Sequence, residues 1–120
     1  ISIDSLTFTT LLEKPNATSI LLQGTSSLPN GLAFGQGVRC AGGQLKRMYV
    51  KLAVNGSITA PDSGASDLSV SVRSAQLGIP IQAGQPYVYQ VYYRDSTVLG
   101  GCPAASTFNA TQAGSVSWWP

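Results

Sequence analysis

Five side chains could supply acid–base or metal chemistry: Asp4, Glu13, Asp62, Asp67 and Asp95 are the only carboxylates of the chain. Glycoside hydrolysis needs two of them facing each other across a cleft. Asp62 and Asp67 share one short loop, and no spacing places an opposing pair. The chain contains no histidine, which removes the commonest general base and the commonest metal ligand. A Ser-His-Asp arrangement is impossible, and no Ser-Lys motif is present, so the expectation is a non-catalytic protein without a cofactor. Asp62-Ser63-Gly64-Ala65-Ser66-Asp67 offers oxygen ligands on a Gly-bearing loop of the kind calcium uses, although calcium normally takes more carboxylates at alternate positions. The alternative reading is a polar turn whose Asp side chains cap local backbone donors.

Cys40 and Cys102 are the only thiols, and both sit in Gly-rich stretches. No Cys-x-x-Cys motif is present, and two Cys cannot make a four-ligand zinc site. The expectation is one disulfide closing about 60 residues, with a stabilisation on the order of 4 kcal/mol. A bridge of that kind implies an oxidising compartment, hence an extracellular or cell-surface location. Asn16-Ala17-Thr18, Asn55-Gly56-Ser57 and Asn109-Ala110-Thr111 match the N-glycosylation sequon, each beside turn chemistry. The bland alternative is that Asn and Thr are common in turns and strands. Tyr87, Tyr89, Tyr92, Tyr93, Trp118 and Trp119 are the aromatics a carbohydrate-binding face would use. Trp118 and Trp119 cannot both point inward on one strand, so an interaction surface is expected there, joined by Leu6 and Phe8 near the start of the chain. Arg39, Arg73 and Arg94 are expected to pair with Asp or to cap loop carbonyls rather than to bind a ligand.

These residues belong to a chain of 120 residues and 12.5 kDa with seven cations against five anions. That is one domain, residues 1–120. Charged residues make up 10 %, far below the usual ~25 %, while apolar residues reach 43 %; disorder wants the reverse. Seven scattered cations are too thin for a nucleic-acid footprint. No window approaches the ~20 apolar residues of a membrane-spanning helix. The chain starts at Ile1, which is expected of a processed mature protein or of a fragment.

The dominant hydrophobic period is two. Ser2 to Thr10 places Leu6 and Phe8 on one face and Thr7 and Thr9 on the other, a strand pattern. Thr18 to Gln23 reads as a buried strand ending at Gly24. Ser26 to Gly37 reads as a long loop, or a loop with a hairpin tip at Asn30-Gly31. Gln44 to Val54 fits both a helical face and a strand, and strand is preferred because Asn55-Gly56 after it is a strong hairpin signal. Leu68 to Ser74 alternates Leu68, Val70 and Val72 against Ser69, Ser71 and Arg73, again a strand. Pro86 to Asp95 has two substantial faces and reads as a central strand. Thr107 to Asn109 and Ser115 to Trp119 read as two short strands. The sum is seven or eight short strands and no convincing helix. That suits an all-β, antiparallel β-sandwich, with a small closed barrel as the alternative.

Ile20-Leu21-Leu22-Gln23-Gly24 and the run from Phe34-Gly35-Gln36-Gly37-Val38-Arg39-Cys40 to Arg47, followed by Tyr89 to Asp95, Cys102-Pro103 and Thr107-Phe108-Asn109, form a set of motifs in fixed order. The set resembles a β-rich domain of unknown function at the C-terminus of secreted proteins of planctomycetes and myxobacteria. The resemblance implies secretion and a β-rich fold, and nothing catalytic. Gln36 stands where members of that group often carry Asp, and an upstream β-prone, Cys-rich segment common among them is not in this sequence. A sheet lacking that strand would have an open edge, which invites a strand from another chain. The expected function is a self-assembling, extracellular structural subunit, a homo-polymer or a partner of other subunits. The alternatives are a carbohydrate- or cell-surface-binding module that takes glycans, or an accessory domain of a larger secreted enzyme.

Overall fold

The computed structural model describes residues 5–11, 13, 15–34, 37–94 and 108–118. They form β1 (Phe8–Thr10), β2 (Thr18–Gly24), β3 (Ser26–Phe34), β4 (Gly37–Gly42), β5 (Lys46–Leu52), β6 (Ile58–Ala60), a 3-10 turn (Ser63–Ala65), α1 (Val70–Gln76), β7 (Pro86–Arg94) and β8 (Phe108–Ser117). The fold is mostly β and antiparallel, and its sheets do not close into a barrel. A four-stranded sheet in the order β5-β2-β7-β8 is the frame, and β1-β6 and β3-β4 are separate two-stranded ribbons.

The frame is buried on both faces at its centre, as the two-faced sequence of Pro86 to Arg94 requires. On the inner face Leu21, Tyr87, Tyr89 and Val91 pack with Met48, Tyr49, Val70 and Trp118. The β1-β6 ribbon closes over them with Ile58 and Ala60, and α1 adds Val70 and the flanking Leu77 and Ile79. On the outer face the β3-β4 ribbon lies against β7 and β8. Gln90, buried there, accepts from the Cys40 N–H (2.9 Å) and donates to the carbonyls of Val38 and Thr111 (2.7 Å each). Two of these bonds fasten the ribbon to the sheet and the third reaches the neighbouring β8, so the burial of the amide is compensated.

Two local choices shape the frame. The β7-β8 register slips between Gln90 and Tyr92. At that bulge the Thr111 hydroxyl accepts from Val91 N–H and donates to Val91 C=O, 3.1 Å each. A side-chain hydroxyl thus replaces the missing backbone partner, the usual cost of a bulge. At the other end β2 hands over to β3 at Gly24, where a Cβ would meet Gly42 O at 2.6 Å and Gly42 N at 2.8 Å. Only glycine lets the two backbones cross so closely.

Several expectations change. Leu68 to Ser74 is not a strand: α1 occupies it, so the reading of no helix is corrected. Its buried positions are Val70 and Ser74, with Leu77 packed behind them, a period near four, while Val72 is 52 % exposed. The helix ends in a Schellman motif: Gly78 (φ 94°) follows it, Gly78 N–H donates to Ala75 O and Ile79 N–H to Ser74 O. Ser26 to Gly37 is not a long loop, because β3 runs through it and pairs with β4, with an irregularity between Ser27 and Leu32. The two short C-terminal strands are one ten-residue strand, β8. The Asn55-Gly56 turn forms as expected, with Val54 and Ser57 exchanging backbone bonds of 2.9 and 3.1 Å around residues at φ 53° and 80°, but pairing stops at that one bridge, and β5 and β6 belong to different sheets.

Gly24→Ala is expected to lower unfolding free energy by about 1–3 kcal/mol, because the clash is with backbone that cannot move aside. Chemical denaturation of the purified variant measures it, and an unchanged midpoint would refute the close-crossing account.

Candidate functional site

The Asp62 to Asp67 segment is a self-capped turn. Asp62 Oδ1 accepts from Gly64 N–H at 3.0 Å, and Asp67 Oδ2 accepts from Asp62 N–H at 2.8 Å. Asp67 also forms an ion pair with Lys51 of β5. Among the described residues no group of three or more metal-ligating side chains comes together. Burial raises the Asp67 pKa, but the Lys51 hydrogen bond, the Asp62 N–H and the Lys51 charge outweigh it, and the net pKa lies below the usual 3.8.

The other candidates fall as follows. Cys40 is half-buried, and no disulfide is supported: Cys40 is a free thiol, and Cys102 lies outside the described residues. Asn16 and Asn55 sit at exposed turn tips with positive φ, whereas Asn109 is half-buried on β8 and its Oδ1 accepts from Ala110 N–H. Leu6 and Phe8 pack against the core, with the Phe8 ring 4.7 Å from that of Tyr89. Trp118 is buried, not displayed, and Trp119 lies outside the described residues. Arg73 donates from Nε to Met48 O at 2.8 Å, a carbonyl of strand β5 rather than the loop carbonyl or Asp expected.

Trp118 faces inward because its indole N–H has a partner there. It donates to Tyr89 Oη (3.3 Å), Tyr89 donates to Gln23 Oε1 (2.8 Å), and Gln23 Nε2 donates to Ser74 Oγ (2.8 Å). Ser74 donates in turn to the Ile79 carbonyl. Four buried polar groups from the end of β8, β7, β2 and α1 form one directional chain. Tyr and Trp bury well only where O–H and N–H find such partners, which withdraws Tyr89 and Trp118 from any carbohydrate-facing role.

The surface the residue types did not announce is an edge. β5 ends the four-stranded sheet. Ala53 N–H donates to Ala17 O at 2.8 Å, which makes Ala17 and Ala53 a hydrogen-bonded pair. Antiparallel ladders alternate, so Lys51 and Tyr49 turn their backbone groups to β2, and Val50 and Leu52 turn theirs away. Arg73 of α1 closes this edge at Met48. Beyond it Val50 and Leu52 are each 62 % exposed and Val54 68 %. Among the described residues no strand covers this edge, and open backbone donors and acceptors beside bare aliphatic side chains are the combination that sheet proteins normally blunt. The sequence signal was present as the alternation Met48, Val50, Leu52, Val54, which reads as a buried face and turns out to be largely uncovered.

No family model, curated protein or solved structure matches this chain.

Two outcomes test the geometry. Tyr89→Phe strands Gln23 Oε1 and Trp118 Nε1, and a loss of about 1–3 kcal/mol per unsatisfied buried group is expected in denaturant titration. Asp67, with its folded pKa depressed, contributes stability that is complete above the unfolded value and is lost as pH falls below 3.8 through the folded value. Lys51→Met should therefore flatten the acid limb of a stability-versus-pH curve; an unaltered limb would remove Lys51 from the account.

Proposed function

We propose that this chain is a non-catalytic, extracellular structural subunit that self-assembles through β-strand contacts. The single observation behind the reading is the open β5 edge with Val50 and Leu52 exposed. A strand added there would satisfy backbone groups in the ladder direction and cover aliphatic surface at once. The low charge supports the reading, since 12 charged residues, 7 and 5 by sign, give like subunits little mutual repulsion. The layered arrangement is a sandwich in this proposal, with the four-stranded sheet facing the β1-β6 ribbon across the core. The secretory location and the likeness to the C-terminal β-rich domain of secreted bacterial proteins belong to the same proposal.

The test is the size distribution of the secreted protein by analytical ultracentrifugation and electron microscopy. Polymers are expected, and a strictly monomeric species at high concentration would end the reading. Leu52→Lys should raise the concentration needed for assembly roughly tenfold or more, because burying a Leu side chain is worth ~1.5–3 kcal/mol. The circular dichroism spectrum should stay unchanged, since Leu52 is outside the core.

A further inference from the structure

The edge at the far side of the same sheet is β8, and the two edges differ in chemistry. β5 carries Lys46, Arg47 and Lys51 and no acid, whereas β8 carries no charged residue. Pairing β5 with β5 of a second copy would gather Lys46 and Arg47 of both copies, beside the Asp67-paired Lys51, at one joint, and pairing β8 with β8 would leave Val50 and Leu52 bare. β5 against β8 avoids both.

The geometry of the pleat agrees. Trp118 N–H donates to Gln85 O, which makes them a hydrogen-bonded pair. By the same alternation Ala113, Ser115 and Ser117 of β8 turn their backbone groups outward. Ser115 lies opposite Val88, on the outer face of the sheet, and Val50 lies opposite Ile20, which lies opposite Tyr92 on that same face. On both edges, then, the residues with open backbone groups have their side chains on the outer face. Because the sheet has four antiparallel strands, β5 and β8 run in opposite directions. A copy displaced by simple translation therefore presents an antiparallel β5 to β8 with the pleat in phase. Beside β8 on the outer face is a cavity of about 460 Å³ lined by Cys40, Val88, Ala113 and Ser115 among others, with no charged side chain in its lining. It stands where the aliphatic side chains of an incoming β5 would fall.

We propose that the β5 edge of one copy pairs antiparallel with the β8 edge of the next, seating Val50 and Leu52 in the cavity beside Cys40. The inference rests on the assembly reading and names its partner surface. The contact is heterologous, and because each step also translates along the rotation axis it propagates rather than closing into a ring. Four strands at ~4.8 Å give a rise of about 19 Å per subunit, and strand twist gives a rotation of roughly 80–100°.

The experiment uses the full chain with Cys40→Ser and Cys102→Ser as background, so that the introduced thiols are the only ones in the chain. Protein carrying Val50→Cys is mixed with protein carrying Ala113→Cys, Ser115→Cys or Ser117→Cys and oxidised during assembly. Hydrogen-bonded pairs stand ~5.5 Å apart at Cα, within disulfide reach. Cross-linked dimer is expected several-fold above background with at least one of the three. Filaments that yield chiefly Val50→Cys self-cross-links, or none with the β8 panel, would overturn the β5-β8 contact while leaving assembly standing. Absence of any polymer would overturn both. Electron microscopy of unmodified filaments is independent of the variants: a rise near 19 Å supports the contact, and one near twice that value, the mark of two-fold pairs, refutes it.

Discussion

The chain of hydrogen bonds from Trp118 through Tyr89 and Gln23 to Ser74 and the Ile79 carbonyl is the interaction on which the rest of this molecule depends. It lies inside an apolar core where Gln23 and Ser74 have no solvent exposure. Each member would be costly alone in such a place. Together they are satisfied in one direction only, so removing one disturbs its neighbours. The chain also decides which elements may occupy which place. Gln23 needs a hydroxyl at the level of Ser74, and Ser74 reaches it because α1 is a helix. Trp118 has to follow β8 into the core, which holds the end of that strand against β7.

On the opposite face of β7 a second side-chain amide has the complementary task. Gln90 ties β4 and β8 to the sheet, while Thr111 repairs the ladder one residue on. β7 is thus fastened on both faces and both edges, and order falls away from it. β5, two strands distant, is held at Met48 by Arg73, at Tyr49 by the Leu68 carbonyl and at Lys51 by Asp67, while its Val50 and Leu52 side chains are exposed. A sheet organised from a polar centre outward leaves its least satisfied groups at its margins.

Much of this was legible in the residues. A short apolar run located β2, period-two alternation located β7 and, with the turn signals flanking it, β5, and Asn55-Gly56 located a two-residue turn. The antiparallel, mostly β character followed from turn spacing. What escaped was governed by tertiary contacts. Leu68 to Ser74 alternates like a strand and also carries a period near four; Gln23 and the Schellman cap at Gly78 decide between them, and only the cap has a local signature. The inward turn of Trp118 depends on a hydroxyl 29 residues away. The free edge was anticipated as a consequence of a lacking strand, but its position on β5 was not, because Val50 and Leu52 have the composition of core residues.

A sheet whose two margins differ has a direction. If copies of this chain join β5 to β8, every assembly carries Val50 and Leu52 bare at one terminus and the uncharged β8 at the other. Growth at the two termini then involves different surfaces, and a cell could anchor one and extend the other. An odd number of strands would remove this simplicity: margins running the same way would meet as parallel strands under translation, a different ladder altogether. The even count of the sheet is therefore a topological condition for an antiparallel joint between translated copies, set before any contact between subunits is made.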